Sequence, residues 1–239
     1  MTAGLMADAP VARLASLPGV STASRVAAAA EHAQVTGGVL PVLPELAGLL
    51  PATGLRRGST VAVHGSTSLL LALLAEATTS GSWAAVVGVP TLGLVAAAEL
   101  GVEVSRLALV PRPGGEFASV TAALLDGIDL VAVGAGQVNP QVARRLSARA
   151  RHRGAVLLSF GAWPGAELEL QCEPDEWAGL ENGYGYLRER EVVVRTRGRG
   201  SAARPLRAGL LLPGPAGRIA RSDPGVALSD VALRALEVG

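Results

Sequence analysis

Gly65, Ser66, Thr67 and Ser68 follow a short apolar run, Thr60 to Val63, and lead into the leucine-rich stretch Leu69 to Ala77. A strand, a glycine turn with small hydroxyl residues and a helix is the cadence of a phosphate-cradling loop. The pattern G-x-x-x-x-G-K-[ST] supplies backbone N–H groups, a lysine for the β and γ phosphates, and a hydroxyl for a magnesium ion. Here the lysine is missing. All 21 basic residues are arginine, which removes a phosphate-loop lysine, a Schiff-base lysine and a lysine general base from every position. His64 closes the strand and reads as a strand-end residue in preference to a catalytic base. Cys172 stands alone, and His32, His64 and His152 are too scattered for metal-ligand spacing or a disulfide framework. No metal and no cofactor are expected.

The elements that must hold these residues follow from the apolar pattern. The chain has 239 residues, 49% of them apolar, enough for one α/β domain with appended segments. Near-continuous apolar runs at 60–64, 83–89, 106–110, 129–134 and 155–160 read as buried central strands. The alternating runs at 167–172 and 191–196 read as antiparallel or edge strands. Helical patterns lie between them at 68–79, 91–100, 116–126 and 139–151, the signature of β-α units. Residues 1–36 form an arm, with Ser21 capping a helix that Gly37 and Gly38 end; residues 37–200 form the core. Five glycines and four prolines fall between Gly200 and Gly225, so residues 201–239 read as a loose tail closed by a small helix at 228–236. Mean hydropathy is high, +0.39, yet the most apolar stretch, residues 84–98, is interrupted by Gly88, Pro90 and Gly93 and is too short to span a bilayer. With no apparent secretory signal either, a cytoplasmic location without membrane attachment is expected.

The order "LRRGSTVAVHG", a helix ending "LAEA", "WAAVVGV", "LGVEVSRLALVPRP" and "DGIDLVAVG" resembles the core of the RecA recombinase over roughly residues 40–200. The resemblance implies an α/β fold: a three-layer RecA-like core of P-loop-NTPase type with a degenerate nucleotide site, an N-terminal helical arm and a flexible C-terminal tail. Laid on that family's loop, Gly65 falls on the final glycine and Ser66 where the lysine belongs. The loop is shortened, and no cation in it replaces the lysine. The position of the catalytic glutamate falls in "GVPTLG", which has no acid. The Walker B aspartate is replaced by Gly134, while Asp129 opens that strand instead of closing it. A degenerate site of Gly65, Ser66, Thr67 and Gly134 implies no ATP hydrolysis.

Two groups of RecA-like proteins without the ATPase apparatus come into view. The chain resembles the ImuA type, in its arginine- and alanine-rich actinobacterial ImuA-prime branch. That implies a non-enzymatic adaptor of DNA-damage-induced translesion synthesis. The implied partners are an inactive Y-family polymerase homologue of ImuB type, the error-prone polymerase of the same cassette, and RecA. The alternative is a SulA-like cell-division inhibitor that binds FtsZ.

Charge is unevenly placed. Residues 1–143 carry six arginines and nine acids, and residues 144–239 carry fifteen arginines and eleven acids. Arg144, Arg145 and Arg149, followed by Arg151 and Arg153, form one cluster; Arg195, Arg197 and Arg199 form another. Both are candidate DNA contacts, since guanidinium pairs bidentately with phosphate. The competing reading is a solvated helix face, with arginines paired to the acidic stretch from Glu167 to Glu181. Tyr184 and Tyr186 suit either base stacking or a hairpin turn. In the tail, Val226, Leu228, Val231, Leu233 and Leu236 form an apolar stripe suited to a partner's groove, and the arm is positioned to pack on a RecA-like surface.

Overall fold

The computed structural model describes residues 38–134, 136, 138–181 and 184–222. The expected arm helix, the terminal helix and the stripe from Val226 to Leu236 lie outside the described residues. A small antiparallel pair, β1 (Val39–Leu40) and β2 (Leu55–Arg56), brackets the short helix α1 (Pro44–Ala47). Then follow β3 (Thr60–His64), α2 (Thr67–Thr79), β4 (Ala84–Val87), α3 (Leu94–Glu99), β5 (Leu107–Val110), α4 (Phe117–Leu125), β6 (Leu130–Gly134), α5 (Pro140–Arg153) and β7 (Val156–Phe160). The chain ends its described part with β8 (Leu168–Glu181), β9 (Tyr184–Gly198), β10 (Arg207–Leu211) and β11 (Ala220–Arg221).

The larger sheet has nine strands in the order β11-β10-β9-β8-β3-β7-β6-β4-β5. From β5 to β8 all neighbours are parallel, and the pairs β8–β9, β9–β10 and β10–β11 are antiparallel. The protein is therefore a mixed α/β structure built on a large mixed sheet. The chain leaves β3, crosses over two strand positions to β4, three places away, moves out to β5, and returns through β6 and β7 before β8 settles on the far flank of β3.

Each central strand is apolar throughout because it is buried on both faces. Val61 and Val63 of β3, with Leu130 and Ala132 of β6, join one core together with α2, α3 and the β1–β2 pair. Ala62, Val131 and Val133 join the other, with Leu125 of α4, Ala143, Leu146 and Ala150 of α5, and Trp163. In α2 every residue from Leu69 to Ala75 is buried, so this middle part of the helix is enclosed on all sides without a polar stripe. The ends of α5 follow local chemistry. Asn139 Oδ1 accepts from the Gln141 N–H at 2.8 Å, Pro140 opens the helix, and Gly154 closes it at φ +69°.

Asp129 sits at the opening end of β6, where its carboxylate accepts from Arg57 Nη2 at 2.9 Å and from the Trp83 N–H at 3.0 Å. It ties strand starts together. Two expectations are corrected. The β8–β9 pair is much longer than the runs 167–172 and 191–196, with β8 running on ten residues beyond Gln171, its last residue paired with β3. Residues 207–211 and 220–221, expected in a loose tail, pair into the sheet, where Leu210, Leu212 and Ile219 are buried. The glycines and prolines there mark turns between very short edge strands.

Candidate functional site

β3 ends in the Gly65 turn, and α2 begins at once. Gly65 has φ +83°, a conformation that penalises any side chain. A β-carbon there would also lie 2.2 Å from the carbonyl oxygen of Cys172 on β8. Glycine is required here because a neighbouring strand lies against the turn. Ser66 is buried and caps α2, its Oγ accepting from the Leu69 N–H at 3.2 Å. Thr67 is the first residue of α2 and is half-buried.

A guanidinium stands at the same helix end. Arg190 of β9 donates from Nη2 to Ser66 Oγ at 3.3 Å and from Nε to the Leu212 carbonyl at 3.1 Å. A loop without a cation is expected from the sequence, and the fold brings the Arg190 guanidinium to it from a strand 124 residues away. Burial pushes the Cys172 thiol up, opposed by its hydrogen bond with Ser66 and the charge of Arg190. The helix terminus that would cradle a phosphate is engaged by the chain's own serine, cysteine and arginine.

Gly134, at the closing end of β6, lies at the same edge of the parallel sheet, separated from β3 by β7. A β-carbon on it would lie 2.3 Å from the Gly88 carbonyl oxygen. Gly88 is held at φ +74° and by its N–H to the Val110 carbonyl at 2.9 Å. An aspartate cannot be seated at Gly134 on this backbone. Beside it is an open depression of about 420 Å³, lined by Gly114, Gly115, Phe117, Val138 and Asn139 among others. A smaller, more enclosed groove between α4 and α5 adjoins it, with Ala118 and Val142 common to both.

The candidate DNA contacts separate into two kinds. Arg149 grips Asp126 through Nε at 2.7 Å and through Nη2, and Arg153 adds a contact at 3.0 Å. The Arg149 hydrogen bond holds the Asp126 carboxyl down at about 2. Arg195 pairs with Glu173 at 3.3 Å. Arg144, Arg145, Arg197 and Arg199 are exposed and make no ion pair among the described residues. His64 is half-buried, with Nε2 at 4.0 Å from a Glu169 carboxylate oxygen. No helix among the described residues is long and apolar enough to cross a membrane.

Fold and site together define a mixed α/β protein with a strand–glycine turn–helix unit whose turn is closed by its neighbours. Residues 48–165 match the model of a family described as the MT3502 N-terminal domain. The chain is similar to an uncharacterised protein, Rv3395c, of Mycobacterium tuberculosis, with 43% identity over 127 residues. That match spans 51% of this chain and 62% of the relative's length. Gly65, Ser66 and Gly134 all fall within the family match.

Proposed function

We propose that the chain is a RecA-like, non-catalytic adaptor of DNA-damage-induced translesion synthesis, similar to the ImuA-prime type. The observation that carries this reading is the pair of closures at the closing edge of the parallel sheet. The Gly65 turn keeps the strand–turn–helix order of a nucleotide loop, while the Cys172 carbonyl fills the space beside it. The Gly88 carbonyl likewise fills the space beside Gly134. A scaffold whose two nucleotide-reading positions are packed with backbone is suited to holding partners. The internal place of β3, flanked by β7 and β8, supports the RecA-like assignment, as does the order of sequence motifs along residues 40–200. On this reading the partners are an inactive Y-family polymerase homologue, the error-prone polymerase of the same cassette and RecA. The stripe from Val226 to Leu236 enters a groove of the polymerase homologue. The test is capture with tagged full-length protein from DNA-damaged cells. Recovery of the polymerase homologue is the expected result, and recovery of FtsZ in its place overturns the reading.

A further inference from the structure

Arginines from two distant parts of the chain meet around one carboxylate, and a third is tied to the same residue through the backbone. Glu167, just before β8, pairs with Arg56 of β2 and, at 3.4 Å, with Arg151 of α5. Its backbone carbonyl accepts from the Arg199 N–H at 3.0 Å. From Arg199, β9 leads to Arg197, which stands opposite Glu169 of β8, and to Arg195, which stands directly opposite Arg207 of β10. On this side of β8, β9 and β10, Glu169, Gln171, Glu173, Arg195, Arg197 and Arg207 are all exposed.

The charge balance of this band is lopsided. Six arginines (56, 151, 195, 197, 199 and 207) share three acids, Glu167, Glu169 and Glu173, on a chain whose overall net charge is +1. Like charges directly opposite on antiparallel strands lie about 5 Å apart at their β-carbons and are destabilising. Arg195 is offset by Glu173, but Arg207 makes no ion pair among the described residues. A fold that keeps such a pair on an open sheet face has a use for the charge, and a polyanion relieves it. The guanidinium fork matches phosphate oxygens bidentately, which a point charge does not.

We propose that the band running from Arg56 and Arg151 through Arg199 and Arg197 to Arg195 and Arg207 binds the phosphodiester backbone of a nucleic acid. From Arg199 to Arg195 it extends about 13 Å along β9, the rise of roughly four nucleotides in duplex DNA. Arg56 lies outside the arginine clusters visible in the sequence, and it and Arg151 join the band only through their tertiary contact with Glu167. The inference stands apart from the adaptor reading, since it uses neither the Gly65 turn nor the terminal stripe.

The experiment is fluorescence anisotropy of the full chain with a labelled mixed-sequence duplex and with labelled oligo-dT across a salt series. The excess of about three positive charges predicts a log–log salt slope near −2.7 on duplex or −2.1 on single strand. At about 50 mM salt, Arg197→Glu with Arg207→Glu should weaken binding at least about tenfold. Arg56→Gln with Arg151→Gln should weaken it as well. Arg112→Glu with Arg218→Glu, an equal charge change at exposed arginines outside the band, should stay within about twofold. Circular dichroism checks folding of each variant, and the tighter probe identifies the preferred form. Absence of salt-dependent binding to both probes, or equal loss in the band and off-band glutamate variants, overturns the proposal.

Discussion

The carbonyl oxygen of Cys172 lies 2.2 Å from where a β-carbon on Gly65 would sit. That contact joins β8 to the turn between β3 and α2, and it makes the turn intolerant of any side chain. Gly65→Ala would need both a left-handed backbone at a residue that disfavours it and displacement of a strand. A loss of at least about 2–3 kcal/mol is expected, read as a shift in the urea midpoint at unchanged m-value. Gly81, also at positive φ but with open space around it, serves as the comparison and should lose less on the same change.

Ser66→Ala removes the cap of α2 and one acceptor for Arg190. It should cost about 1 kcal/mol of stability while leaving partner capture unchanged at temperatures where the protein is folded. A stable variant that no longer captures its partner would show that Ser66 faces a ligand.

Asp126 gives a pH dependence with a definite sign. Its carboxyl is held at about 2, below the ordinary value of 3.8, by Arg149 and Arg153. A depressed pKa contributes stability that is present above the ordinary value and is lost as pH falls from about 4 through about 2. The pair is exposed, so the effect is small. Wild type should melt slightly above Asp126→Asn near neutrality, and the two should converge as pH approaches about 2. A difference persisting at the acid end would assign the effect to packing instead.

The end of the folded core is testable by truncation. Ending the chain after Gly200 removes β10 and β11 and with them buried Leu210, Leu212 and Ile219. At about 1.5–3 kcal/mol for each large apolar side chain, and with the edge of β9 exposed, that truncation should unfold or aggregate. Ending after Ser222 should keep a cooperative melt. The adaptor reading adds that this shorter protein loses the polymerase homologue, which the same capture assay checks.

The central strands were legible because burial on both faces writes itself as unbroken apolar runs: "TVAVH", "DLVAVG" and "AVLLSF" all became strands in place. The Gly65 turn and the cap, proline and glycine of α5 were legible because their chemistry is local. Arg190 was not, since its meeting with Ser66 spans 124 residues and nothing near either residue announces the other. β10 and β11 were missed for a different reason. They are five and two residues long, and the turns that separate them dominate the local composition. The convergence on Glu167 likewise depends on β8 lying beside β3, a tertiary fact that charge clusters alone do not carry.

The most direct measurement of the central proposal, that the Gly65 turn takes no nucleotide, is calorimetric titration of Mg-ATP into the full-length protein. With the turn backed by Cys172, Ser66 committed to the helix and no side chain possible at Gly134, affinity should be no tighter than about millimolar, near 4 kcal/mol. Saturable binding at micromolar concentration would contradict the account.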